Sequence, residues 1–151
     1  MEKEAMQPRL LSKTWASLGL KNEIPMTRTD DLAQSAATYE DGFPSITMTP
    51  ISQGGKAPSG KDMNGILKDI TEHIVYQNKG GMYLFNAAFA KEIGGYPRGA
   101  ILISDDYSKF MVSLVDKNLV NFNTDPNYQN NWSMIATTDL MNVVKPSDLD
   151  E

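Results

Sequence analysis

The chain has 151 residues, 40% of them apolar, no cysteine and a formal net charge of −5, which suits one modest domain or two very small ones. An acidic balance with bases gathered only in pairs excludes phosphate-driven nucleic-acid binding, and the missing thiols exclude a disulfide framework, thiolate catalysis and a CxxC metal site. The opening MEKEAMQPR carries no apolar signal core, and no stretch approaches the ~20 apolar residues of a membrane span, so neither a classical export signal nor membrane insertion is expected.

Residues 1–36 read as a polar N-terminal arm with isolated apolar anchors, among them Leu10, Trp15, Leu18, Leu20 and Ile24. Leu11, Trp15 and Leu18 recur at helical spacing and predict a short helix within Leu11 to Leu20. Such an arm either latches back onto its own domain or grips a neighbouring subunit. Thr27 to Ala37 offers nothing to bury and is expected to be flexible or draped.

The segment from 37 to 59, punctuated by Asp41-Gly42, Pro44, Pro50, Gly54-Gly55 and Pro58, reads as extended, because each proline disfavours helix at the residue before it. Alternation of Ile46, Met48 and Pro50 with Ser45, Thr47 and Thr49 predicts an edge strand lying against another surface. Gly60 to Gly80 is the clearest helix. Met63, Ile66, Leu67, Ile70 and Ile74 fall at i, i+3, i+4, i+7 and i+11 and draw one apolar stripe. Ser59 is the expected N-cap, Asp62 suits the positive first turn, and Gly80-Gly81 ends the helix. Gly65, one turn inside, costs ~1 kcal/mol against alanine. It is read either as a neutral surface position or, preferably, as a place where another backbone comes close: the Gly-Pro strand upstream or the same helix of a second subunit.

Residues 81–136 predict a short helix from Phe85 to Ile93 and then a small antiparallel meander. Its strands are Ala100 to Ser104, Lys109 to Val115 and Trp132 to Ala136, joined by the Asp105-Asp106 turn and an asparagine-rich loop. Residues 137–151 form an acidic tail with a weak Leu140, Met141, Val143, Val144 cluster. The fold class is therefore α+β: an extended arm, one main amphipathic helix and a C-terminal meander.

No catalytic constellation emerges. His73 and Asp69 make an i, i+4 helix-surface pair with no nucleophile elbow to serve. Asp105-Asp106, Asp116 and Asp125 lack the ordered spacing of an EF-hand and read as turn chemistry. Gly54-Gly55-Lys56 and Gly94-Gly95 match no phosphate-cradling pattern, and the carboxylate pairs Asp30-Asp31 and Glu40-Asp41 lie in exposed stretches, where nothing separates their pKa values. Neither an enzyme, a cofactor nor a metal is expected.

The ordered succession of ATYEDGFP, GGKAPSGKDMNGILKDIT and FNAAFAKEIGGYPRGAIL, with the loop through Asp125-Pro126 to Trp132, resembles the N-terminal region of tail fibre and tailspike proteins of tailed bacteriophages. The resemblance covers roughly Leu10 to Ile135. It implies a virion-attachment module, the proximal end of a homotrimeric fibre docked on the phage tail or baseplate. Such a module is made in the host cytoplasm and carried in the virion, with recognition or glycan cleavage left to a distal fibre or tailspike part. Such fibres continue into a long shaft, so the sequence is read either as a piece of one or as a short adaptor to which another fibre attaches. Contacts with the oligomer or virion are then expected at Trp15, Leu18, Phe43, Pro44, Met63, Gly65, Ile66, Ile70 and Ile74. A weaker similarity, from Tyr96-Pro97-Arg98-Gly99 through Trp132, is to small chitin-binding-type carbohydrate modules. It implies glycan stacking on exposed Tyr96, Tyr107, Tyr128 or Trp132, whereas burial economy places Trp132 with Phe110 in the core of the meander.

Overall fold

The computed structural model describes residues 7–137; the first six residues of the arm and the tail from 138 onwards, with its Leu140 to Val144 cluster, lie outside them. The protein is α+β, with one main helix, a short helix and a C-terminal three-stranded antiparallel sheet. It comprises two compact units, Met1–Gly81 and Met82–Glu151, divided after the double glycine. Among the described residues no helix is long and apolar enough to cross a membrane.

The first unit is organised around α1, Gly60–Asn78. Ser59 occupies the N-cap position in an extended conformation, but its side chain makes no capping bond; only its carbonyl serves, accepting from the N–H groups of Asp62 and Met63. At the other end Gly80 takes φ +82°, and the N–H groups of Gly80 and Gly81 donate to the carbonyls of Gln77 and Tyr76, both at 2.9 Å. This is the paired closure that a left-handed glycine permits.

The short helix expected within Leu11 to Leu20 does not form. Ala16 has φ +49°, incompatible with a right-handed helix, and the segment is a series of turns. An isolated helix of this length is marginal without a packed face, and here the backbone N–H of Trp15 is taken by the Thr71 hydroxyl instead, at 2.7 Å. The edge strand expected through Ile46, Met48 and Pro50 is also absent. In its place stand two 3₁₀ turns, Ser45–Thr47 and Ile51–Gln53, with Pro44 and Pro50 at their N-caps. The hydroxyls of Thr47 and Thr49 donate to the carbonyls of Pro44 and Ser45, and the Lys56 N–H donates to Ile46 at 3.0 Å. The backbone is thus satisfied locally and needs no strand beside it.

The second unit packs α2, Ala87–Glu92, against a meander of β1 (Ile101–Ile103), β2 (Lys109–Ser113) and β3 (Trp132–Thr137). The Asn86 side chain caps α2 by accepting from the Phe89 N–H at 2.8 Å, and the glycine pair Gly94-Gly95, both at positive φ, ends it. Antiparallel registers set Leu102 opposite Met111 and Met111 opposite Met134, with a bulge between Phe110 and Met111. Phe85, Ala90, Tyr96, Leu102, Met111, Phe122 and Trp132 form the buried core. Phe110, expected there, is only half-buried; along β2 Met111 and Ser113 face the core, and strand alternation turns Phe110 and Val112 to the other face.

Candidate functional site

In the first unit the arm is a latch on its own helix, held by a set of polar contacts together with the buried Ile24. Trp15 donates its indole N–H to Asn64 Oδ1 at 2.9 Å, Asn64 Nδ2 donates to the Leu20 carbonyl at 2.9 Å, and Asn78 Nδ2 donates to the Leu11 carbonyl at 3.2 Å. Further along, the Asn22 N–H donates to the Lys61 carbonyl at 3.0 Å. The carboxylate of Asp62, 5% exposed, gathers two separate parts of the chain: Asn22 Nδ2 at 2.8 Å and the Ala37 N–H at 3.0 Å. The sequence marked Asp62 only as a helix-start acid. Its role as a junction had no local signal, since both donors come from distant positions.

Gly65 is explained by this latch. A Cβ built there would sit 2.0 Å from the Asn22 carbonyl oxygen and 3.1 Å from Ile24 Cδ1. The close approach read from the sequence is therefore present, but the approaching backbone is that of the arm. Neither the Gly-Pro segment upstream nor a second subunit's helix is needed there, and Gly65, being buried, is not a subunit contact. The stretch from Thr27 to Ala37, expected to bury nothing, drapes over the unit and ends in a buried Ala37 and Thr38. Arg28 pins it, donating to Asp41 at 3.1 Å and to the carbonyls of Ala33 and Ala36.

Of the arm-facing positions of α1, Asn64, Thr71 and Asn78 lie roughly a quarter-turn round the helix from the apolar stripe, and Gly65 about half a turn, at 3.6 residues per turn. The stripe itself is left largely open: Met63 is 46%, Ile70 52% and Ile74 38% exposed, with Ile66 and Leu67 half-buried. Leu18 is fully exposed and Trp15 half-exposed, while Phe43 and Pro44 are half-buried. Asp69 accepts a hydrogen bond from the Tyr39 hydroxyl, which pushes that phenol up to about 12.

In the second unit the four aromatics expected to stack on sugars separate. Trp132 is 1% and Tyr96 7% exposed. Trp132 meets Phe122, Tyr96 and Phe85 edge-on or tilted, with centroids 5.0, 6.0 and 6.2 Å apart, and donates its indole N–H to the Val120 carbonyl at 2.7 Å. These two rings are core, as the area of an indole demands in so small a sheet. Tyr107 is 60% exposed, at a turn with φ +59°, and Tyr128 is half-buried.

The acidic residues considered for calcium serve turns. Asp106 accepts from Ser104 Oγ at 2.6 Å and from the N–H and hydroxyl of Ser108, which holds its carboxyl down at about 2. Asp116 accepts from the Arg98 N–H, and Asp125 from that of Asn127. No family model matches the chain, and comparison with curated proteins finds no match either.

Proposed function

We propose that the chain is a non-enzymatic structural module of a phage virion, the anchor or adaptor that joins a tail fibre or tailspike to the tail or baseplate as a homotrimer. The observation that carries this reading is the stripe of Met63, Ile66, Ile70 and Ile74, left open on a helix whose neighbouring face is already locked by the arm. A three-turn row of large apolar side chains at i, i+3, i+7 and i+11 is the pattern by which helices pair along a seam, and an open row of that kind marks an interaction surface. Three copies related by a threefold axis bury it symmetrically. The latch complements this role: it uses Asn, Thr and Asp side chains to fix the arm, so the apolar side chains remain for a partner. The motif succession of the sequence supplies the virion context.

Sedimentation of the chain across a concentration range tests the assembly, with a trimer expected. The double variant Ile70→Lys, Ile74→Lys is expected to be monomeric with an unchanged helical circular-dichroism signal, because neither side chain is needed inside its own subunit. Particles assembled with fibres carrying that variant are expected to lose most of their fibres. A parent chain that stays monomeric at every concentration, together with normal fibre attachment by the variant, overturns the proposal.

A further inference from the structure

We propose that a cleft of the second unit, between the β1–β2 turn and the asparagine-rich loop, binds one pyranose ring of an uncharged sugar. The cleft encloses about 250 Å³, below the ~300–1,000 Å³ of pockets that hold drug-sized ligands, which limits its occupant to about a single ring. Its lining is divided by chemistry. Met111 and Phe122, both buried core residues, close its floor and present little surface of their own, so the half-buried Tyr128 supplies the aromatic surface, while Asp105, Lys109 and Asn123 supply polar groups. A pyranose has the same division, with an apolar C–H face and a periphery of hydroxyls, each both donor and acceptor.

The polar groups also have capacity to spare. The Asp105 carboxylate and the Tyr128 hydroxyl make no hydrogen bond or ion pair among the described residues; the Lys109 ammonium, whose charge helps to lower the Asp106 carboxyl, makes no direct hydrogen bond there, and together the three offer an acceptor, a donor and a group that is both. Adjacent sugar hydroxyls can satisfy a carboxylate and an ammonium at once. The groups are held in place: the Asp105 N–H donates to Asn123 Oδ1 at 3.0 Å, tying the turn to the opposite loop. Asp106 is fully used within the turn by Ser104 and Ser108, so it rigidifies the rim rather than meeting the ligand. It also stays ionised, and with Asp105 it outweighs Lys109, which disfavours an anionic sugar. A small zwitterion could pair with Asp105 and Lys109, but ion pairs at an open, hydrated rim contribute little, and it would leave the other polar groups unmatched. The cleft residues differ from those of a flat aromatic platform: of Tyr96, Tyr107, Tyr128 and Trp132, only Tyr128 takes part. This inference is independent of the attachment reading, since it concerns neither α1 nor the arm.

Two-dimensional amide NMR of the whole chain, titrated separately with glucose, galactose, N-acetylglucosamine and N-acetylgalactosamine, tests it. N-acetylneuraminic acid and phenylalanine serve as the anionic and zwitterionic probes. At least one neutral sugar is expected to give saturable shifts confined to residues 104–109 and 121–128, with a dissociation constant of ~1–10 mM, ordinary for a single weakly held ring. Asp105→Ala and Lys109→Met, both at exposed positions, are each expected to weaken it about threefold, the lower end of what a hydrogen bond contributes, because the rim is hydrated. Tighter binding of either charged probe, no saturable shift from any neutral sugar, or sugar shifts undiminished in both variants overturns the inference.

Discussion

Replacing Gly65 by alanine isolates the contact on which the first unit depends. In an exposed helix interior the change stabilises by ~1 kcal/mol through backbone entropy. Here the new methyl arrives 2.0 Å from the Asn22 carbonyl oxygen, where ordinary contact begins at 3.4 Å. The obstacle is backbone, not the end of a flexible side chain, so the arm has to retreat by more than an ångström. That movement opens the Asn22–Lys61 bond of 3.0 Å and the Asn22–Asp62 bond of 2.8 Å and lifts Ile24, 6% exposed, from its seat. A backbone hydrogen bond contributes ~0.5–1.5 kcal/mol and one to a charged group ~1.5–3 kcal/mol, while unseating Ile24 costs a further ~1.5–3 kcal/mol. Against the ~1 kcal/mol gained in the helix, the net loss comes to ~2–4 kcal/mol, since partial rearrangement recovers some of the sum. Hydrogen exchange reads the effect residue by residue: the Asn22 amide is expected to exchange ~30–1,000-fold faster in Gly65→Ala, with the amides of the second unit unchanged. Gly60→Ala is the control, because a Cβ there meets nothing within 4 Å, and it is expected to leave exchange at Asn22 unchanged or slower. Slower or equal exchange at Asn22 in Gly65→Ala would refute the account of the latch.

Asp62→Ala leaves the Asn22 amide and the buried Ala37 N–H without their acceptor, and at ~1–3 kcal/mol for the unsatisfied buried N–H it is expected to lower the first unit's unfolding midpoint in urea more than Asp69→Ala does; equal effects would count against the junction. The Tyr39 phenol, raised from 10.0 to about 12 by Asp69, has a folded value above the unfolded one. Its contribution to stability is therefore complete below pH 10 and disappears as pH rises through about 12. Alkaline titration followed by Tyr39 ring carbon shifts is expected to show the late ionisation, and Asp69→Asn to return it to the ordinary range. Trp132→Ala removes the centre of the aromatic core, and a loss of ~3–5 kcal/mol is expected to unfold the second unit in thermal melts while exchange at Asn22 and Asn64 stays protected.

Much of the fold was legible because its signals are local. The helix Gly60–Asn78 announced itself by periodicity and by the glycines at its end, the strands of the meander by short apolar runs between turn residues, and Trp132 by the area it had to bury. The misreadings share a cause. Leu11, Trp15 and Leu18 have helical spacing but no packed face to justify it, and Ile46, Met48 and Pro50 alternate without a neighbouring strand. In both places turn chemistry that satisfies the backbone within a few residues prevailed over an apolar pattern. The candidate surfaces were legible unevenly. The stripe of α1 was visible as a pattern, whereas the cleft between Asp105, Lys109, Asn123 and Tyr128 joins residues too far apart in sequence to announce one another.

The amino-acid sequence by itself determined where α1 begins and ends, which of its faces is apolar, and that the C-terminal half is a meander, and it favoured a close neighbour at Gly65 over a neutral surface position. These follow from the spacing and conformational limits of neighbouring residues. Only the tertiary structure decided that the close neighbour is the chain's own arm, that Asp62 ties Asn22 to Ala37, and that the apolar stripe is the face left open while a polar face is covered. Each of those outcomes depends on which distant donors reach a given acceptor, a property of the folded path rather than of any local pattern.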